Sequence, residues 1–249
     1  LYSFSQWVDG NLFFRAAELK NPYVKIRRYK NEGKNSFSHF SDKLLSHLPP
    51  EERNPVFIRL NKIKIYDGQI SLNDSLIQKN TLKIDRVNLI AEDFFIVNDF
   101  FQIDLKDLSL KSDDFGNLTS LKTKITIDPC EIGVESFQAK LEESILNGSF
   151  KLEKQNPELG FLNNQSLINL TINKSSVSGQ LIKKFISVPE NFQPLNISFN
   201  ANGLLSDLQL NGLTVKNQHV DFAANLNIEN DFSSSFFKLS TNINNLIFT

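Results

Sequence analysis

The chain has 249 residues, 27 Lys+Arg against 28 Asp+Glu, one Cys, no Met and a formal net charge of −1. That balance excludes a nucleic-acid binder that neutralises phosphates, and one thiol, Cys130, excludes an internal disulfide or a multi-thiolate metal site. The 40% hydrophobic and 22% charged fractions are those of a folded chain long enough to bury a sizeable core.

No apolar run reaches the roughly 18 residues of a membrane-spanning helix, and no signal-type segment opens the chain. A start at Leu1, no Met anywhere and a last residue inside Leu246-Ile247-Phe248 read as an internal piece of a longer protein, with any anchor or targeting signal outside it. Alternation at spacing two predicts strands over Asn11–Leu19 and Tyr23–Tyr29, separated by a turn at Lys20-Asn21-Pro22. Phe37, Phe40, Leu44, Leu45 and Leu48 then fall on one helical face, with Ser36 as N-cap and Pro49-Pro50 as stop. A helix over 37–48 is expected there, packed by its apolar face.

From Val56 the chain returns to strands, a dozen or more. Tyr66-Asp67-Gly68-Gln69 and Asn147-Gly148 read as hairpin turns between alternating segments. Gln180–Ile186, between Gly179 and Pro189, reads as a second short helix.

One unit recurs: two alternating apolar residues, a two-residue polar step, then two more. It occurs at Ile58, Leu60, Ile63 and Ile65; at Leu82, Ile84, Val87 and Leu89; and at Ile103, Leu105, Leu108 and Leu110. A weaker copy covers Ile125, Ile127, Cys130 and Ile132, and a late one Leu208, Leu210, Leu213 and Val215. The first four begin 24, 21 and 22 residues apart, which suggests stacked repetition. In an unbroken strand the polar step would throw the second apolar pair onto the opposite face. A bulge or a corner at each step keeps all four on one surface and bends the strand. Periodicity alone favours a packed sandwich or barrel whose apolar faces cover each other; the repeat also permits an open trough.

The stretch Asp9–Phe14, Ala17–Lys30 and Asn35–Leu45, the unit Leu60–Leu72, and the late block Ser178–Phe185, Pro189, Ile197–Phe199 and Gly203–Leu213 together resemble TamB-like proteins of the Bacteroidetes type, in the AsmA/TamB superfamily. The resemblance spans nearly the whole chain and lies in the order of weak motifs. It implies an all-β fold: an elongated, bent antiparallel sheet forming a taco-like apolar groove, one repetitive segment over 1–249 with one or two short helices. It further implies a non-enzymatic, periplasmic protein tethered to the inner membrane, conducting phospholipid acyl chains toward the outer membrane. Membrane contact through an N-terminal anchor and an outer-membrane barrel partner of the TamA/BamA type would involve regions outside this chain.

The expected groove lining is the set of repeat positions above with Ile70 and Leu72 added, Cys130 and Ile132 excepted. An assembly scaffold for outer-membrane proteins and an adhesin-like sandwich with a closed core are the alternatives.

Catalytic and metal-binding candidates are sparse, and no cofactor or nucleic-acid partner is expected. His39 and His47 are eight apart, and His219 stands alone in a predicted strand. Cys130 reads as filler of a small apolar slot, and Asp113-Asp114 and Glu142-Glu143 as solvated turns. Lys25, Arg27, Arg28 and Lys30 form a polar face or a site for anionic head groups.

Overall fold

The computed structural model describes residues 11–28, 57–74, 81–97, 99–112, 116–184, 187–230 and 237–248. Within these lie fourteen strands and one short helix, an all-β architecture of bent, open sheet. The expected helix over 37–48, His39, His47 and Asp113-Asp114 lie outside the described residues. The chain divides into two compact units, Leu1–Thr119 and Ser120–Thr249.

In the first unit, β1 (Asn11–Phe14), β2 (Ala17–Lys20) and β3 (Tyr23–Arg28) follow one another along β4 (Phe57–Asp74), all parallel to it. This departs from the all-antiparallel expectation. β4 then pairs antiparallel with β5 (Thr81–Val97), and β5 with β6 (Phe100–Ser112). β7 (Gly116–Ile127) runs across the division.

In the second unit β8 (Glu131–Leu141), β9 (Ser144–Glu153), β10 (Leu167–Val177), β11 (Leu195–Leu204), β12 (Asp207–Lys216), β13 (Val220–Asn230) and β14 (Phe237–Phe248) form an antiparallel meander. The second expected helix is present but shorter, as α1 (Gly179–Lys183) between β10 and β11. Ser178 caps it, accepting the Leu181 N–H at 3.3 Å, and the buried Ser144 hydroxyl accepts the Ser178 N–H at 2.9 Å.

Both hairpin expectations are overturned. Asp67 and Gly68 lie inside β4, where Asp67 takes φ 51°. Asn21 (φ 51°) lies in the break between β2 and β3, and Arg86 (φ 52°) in β5, so β4, β5 and the β2–β3 junction beside β4 carry a left-handed residue at one level. The Asp-Gly signal for positive φ is therefore real, but it serves a kink at that level instead of a chain reversal.

Asn147-Gly148 lies inside β9. A Cβ on Gly148 would meet the Thr171 carbonyl oxygen at 2.1 Å and the Phe137 ring at 2.9 Å, so glycine is there for a close approach of strands. The weak repeat copy Ile125–Ile132 is a turn, not a bulged strand. Asp128 Oδ1 accepts the Cys130 and Glu131 N–H groups, each at 2.7 Å, between β7 and β8. Cys130 is exposed there and fills no apolar slot.

The apolar core is thin. Among the described residues nine apolar side chains are buried, and three of them are alanines: Ala91, Ala201 and Ala224. A two-layered sandwich would bury its large inward residues on every strand. Here most stay half-exposed.

Candidate functional site: a one-sided apolar sheet face

Residues directly opposite one another in a ladder share a face, so register decides which repeat positions meet. In the first unit Ile63 pairs with Ala91 and Ala91 with Leu105, while Ile58 pairs with Ile96 and Ile96 with Phe101. Phe101 and Leu105 are an even four apart in β6 with no interruption between them, so both rows lie on one face. Yet Ile58 and Ile63 are an odd five apart. Alternation therefore slips by one between them, at Asn61 and its neighbour Asp93, which takes φ 47°.

The same reasoning applies along each strand. The row Ile65–Leu89–Leu108 and the row Ile70–Ile84–Ser112 share a face through β6, with the slip at Asp67 and Arg86. Leu105 and Leu108, three apart, share it because Lys106 is an extra residue between Ile90 and Ala91 on β5. Val87, Ile103 and Leu110 follow by spacing two, and Leu60 by its pairing with Phe94. Leu72 and Leu82 pair in backbone register at the far end of β4 and β5; their side chains lie outside the description.

The second unit repeats the device on every other strand. One row runs Ile132–Leu152–Ile168–Gly203–Leu208–Ile228–Leu239, and the next runs Val134–Phe150–Leu170–Ala201–Leu210–Leu226–Thr241. β9, β11 and β13 alternate without interruption. β8, β10, β12 and β14 each carry one extra residue, near Ser136, Lys174, Gly212 and Asn244. The first three are 38 residues apart (174−136 and 212−174), which is two strands with their connections.

The slip keeps Leu213 and Val215 on the face of Leu208 and Leu210. Ile125 and Ile127 join the same face. The Asp128 N–H bonds to the Glu131 carbonyl at 2.9 Å, and Thr126 lies against Gly133, so their hairpin partners are Val134 and Ile132.

A bulge leaves backbone groups without a ladder partner, and at four of these levels a side chain bonds to one. Asn88 Oδ1 accepts the Asp67 N–H at 3.1 Å and Asn225 Oδ1 the Gly212 N–H at 2.8 Å. The buried Ser175 hydroxyl accepts the Asn147 N–H at 2.9 Å, and Thr123 donates to the Glu135 carbonyl at 2.7 Å. These four slips are thus built in, with dedicated partners.

Small residues collect at these levels on the apolar face. Ala91 lies beside the first unit's kinks, and Gly148 and Ala224 at the second unit's slip, with both alanines fully buried.

The opposite face is polar, with ion pairs in both units and an uncharged row Asn169–Asn202–Gln209–Asn227 across the second. Lys62 lies 3.6 Å from Glu92 on the adjacent strand, Lys106 bonds Asp104 at 2.6 Å, and Lys151 bonds Glu131 at 3.0 Å and also Glu153. Hydrogen bonding to Asp104 raises the Lys106 pKa, and bonding to Glu153 and Glu131 raises that of Lys151. The arrangement can therefore hold apolar matter on one side while the other stays wetted.

Among the described residues no group of three metal-ligating side chains is present. Glu142 turns from β8 to β9 at φ 54° and pairs with Lys184 at 2.7 Å. His219 lies in the bend between β12 and β13, not in a strand. Lys25 is exposed on β3; the side chains of Arg27, Arg28 and Lys30 lie outside the description.

Sequence reasoning missed much of the second unit's face: Val134, Phe150, Leu152, Ile168, Leu170, Leu226 and Ile228. Its signal was present as Ile132-Gly-Val134-Glu-Ser-Phe137-Gln-Ala139, another two-residue step, hidden by the small final member. No protein-family model, curated protein or solved structure matches this chain.

Proposed function

We propose that the apolar face of each unit carries phospholipid acyl chains, as a segment of a periplasmic bridge between inner and outer membranes. The observation that carries the reading is the one-sided face itself. Its apolar rows are in register across seven strands of the second unit, half-exposed, and backed by a polar surface. The resemblance to TamB-like proteins supports the periplasmic setting, and any contact with an outer-membrane barrel is assigned to no residue of this chain.

Burial of each CH₂ is worth about 0.8 kcal/mol, similar to what a bilayer interior already provides. Transfer onto such a face is close to isoenergetic, so a guest can enter and slide without being trapped. Six strand spacings of about 4.8 Å give the second unit roughly 29 Å of track, twice the roughly 15 Å depth of one leaflet's hydrocarbon. Head groups stay in water at the open side. The step needs no catalytic residue and no cofactor.

The test is phospholipid transfer between donor and acceptor vesicles by the parent and by a Leu210→Asp, Leu226→Asp variant, whose two positions face each other in the ladder. Transfer is expected to fall at least tenfold while circular dichroism keeps the strand signal. A folded variant that transfers lipid like the parent refutes the reading.

A scaffold reading has one observation of its own. β14 pairs with β13 alone among the described strands, and such an edge accepts a further strand. Crosslinks from β14 to a folding barrel, with no lipid on the apolar face, would support it instead.

A further inference from the structure

One end of the first unit breaks the one-sided rule. On the otherwise ionic face, Phe13, Phe57, Phe95 and Phe100 form a ring cluster with centroids 5.1, 6.3 and 5.1 Å apart in succession. Their face is fixed by register: Phe57 pairs with Val97 and Val97 with Phe100, while Phe13 pairs with Arg59 and Arg59 with Phe95. The reverse face at the same level carries Ile58, Ile96 and Phe101, then Leu60 and Phe94, with Phe94 and Phe101 edge to face at 5.6 Å. The ionic face resumes at the next level, with Lys62 and Glu92.

We propose that this end enters the interfacial layer of a lipid bilayer, with the paired ends of β5 and β6 at Val97 and Phe100 leading. A protein partner docks on one surface, whereas a band with rings and aliphatic side chains on both faces, interrupted on the ring face by Arg59 and Gln102 in its inner row, suits a medium that surrounds it. From Phe57 to Leu60 the apolar band spans three residue rises, about 10 Å. That matches the roughly 5–10 Å by which interfacial elements bury their apolar part. At the band's inner limit, Phe13, Phe14, Arg15, Arg59 and Asn61 line a shallow pocket where β1 meets β4.

Its two guanidinium groups complement lipid phosphate at the depth where head groups would lie. Arg59 already faces Asp93 across 3.7 Å in an exposed pair, and a phosphate can compete for such a contact. The inference goes beyond acyl conduction and does not depend on it. Phe95 and Phe100 lie on the face opposite the proposed track, so membrane docking and lipid transfer can fail separately.

The experiment uses the 249-residue chain and phosphatidylcholine vesicles with or without one-third phosphatidylglycerol. A polarity-sensitive fluorophore is placed at Asp99→Cys in the turn, in a Cys130→Ser background. Vesicles are expected to blue-shift it, and to leave the same label unmoved at Lys83→Cys, an exposed position near the far end of β5. In flotation, Phe95→Thr with Phe100→Thr is expected to weaken binding at least tenfold. Ile90→Thr, an exposed apolar residue on the ionic part of the same face, leaves it unchanged. Arg15→Gln with Arg59→Gln removes the preference for anionic vesicles.

Absence of vesicle binding by the parent overturns the proposal, as does an equal shift of both labels. A concentration-dependent dimer, abolished by the Phe variant and seen without vesicle binding, assigns this end to a second copy of the chain and also overturns it.

Discussion

Gly148→Ala is the substitution that most sharply probes how the strands bend. The added methyl would lie 2.1 Å from the Thr171 carbonyl oxygen and 2.9 Å from the Phe137 ring. Ordinary contact begins near 3.4 Å, so about 1.3 Å of movement is demanded from a backbone atom of β10. That strand is pinned by the Ser175–Asn147 bond three residues past its pairing with Gly148. Overpacking a rigid site costs about 1–3 kcal/mol, and a backbone obstacle that cannot rotate away puts the cost near the upper limit.

Gly160→Ala is the control, because nothing lies within 4 Å of its Cβ position. It is expected to be neutral or to stabilise by a few tenths of a kcal/mol. Urea unfolding followed by circular dichroism reads both. If Gly148→Ala unfolds within 0.5 kcal/mol of the parent, taking roughly 0.5 as the scatter of ordinary surface changes, the close-approach reasoning is wrong.

Three further outcomes follow. Ser175→Ala, which strands the Asn147 N–H beside a buried site, is expected to cost about 1–3 kcal/mol in urea unfolding, more than the exposed Asn225→Ala at Gly212. Ile63→Asp with Leu105→Asp, the ladder partners of Ala91 on the two adjacent strands, is expected to cut vesicle-to-vesicle lipid transfer by the first unit's face without loss of strand signal; unchanged transfer removes that face from the account. The raised Lys106 and Lys151 pKa values mean their ion pairs contribute fully at neutral pH and are lost as pH climbs above the ordinary lysine value of 10.5. Thermal unfolding should therefore be insensitive to pH between 7 and 9 on their account and weaken only in stronger alkali, an effect absent from Lys106→Gln with Lys151→Gln.

Spacing two made the strands readable, and the polar step made their bulges readable in β5, β6 and β12. The step at Asn61-Lys62 was also right in effect, although β4 shows no shift against β5 there; the partner strand slips at Asp93 in concert, and the ladder hides the event. Asp67-Gly68 and Asn147-Gly148 misled because a local signal for positive φ or for a missing Cβ cannot say whether the chain reverses. What decides is the neighbour: Asn21 and Arg86 kink beside Asp67, and Thr171 crowds Gly148. The copy in β10 was illegible because Ser175 stands where an apolar residue was sought, its hydroxyl serving the bulge. The parallel course of β1 to β3 along β4 was equally hidden, since strand direction leaves no mark on alternation.

Photo-crosslinking at adjacent positions of β12 tests the central claim most directly. Leu208 and Leu210 lie on the apolar face and Gln209 on the opposite, polar one, as consecutive residues of one strand. A diazirine side chain at Leu208 or Leu210 is expected to form phospholipid adducts detectable by mass spectrometry, and at Gln209 none. Equal labelling at all three, or adducts at Gln209 alone, contradicts a sheet that carries lipid on one face.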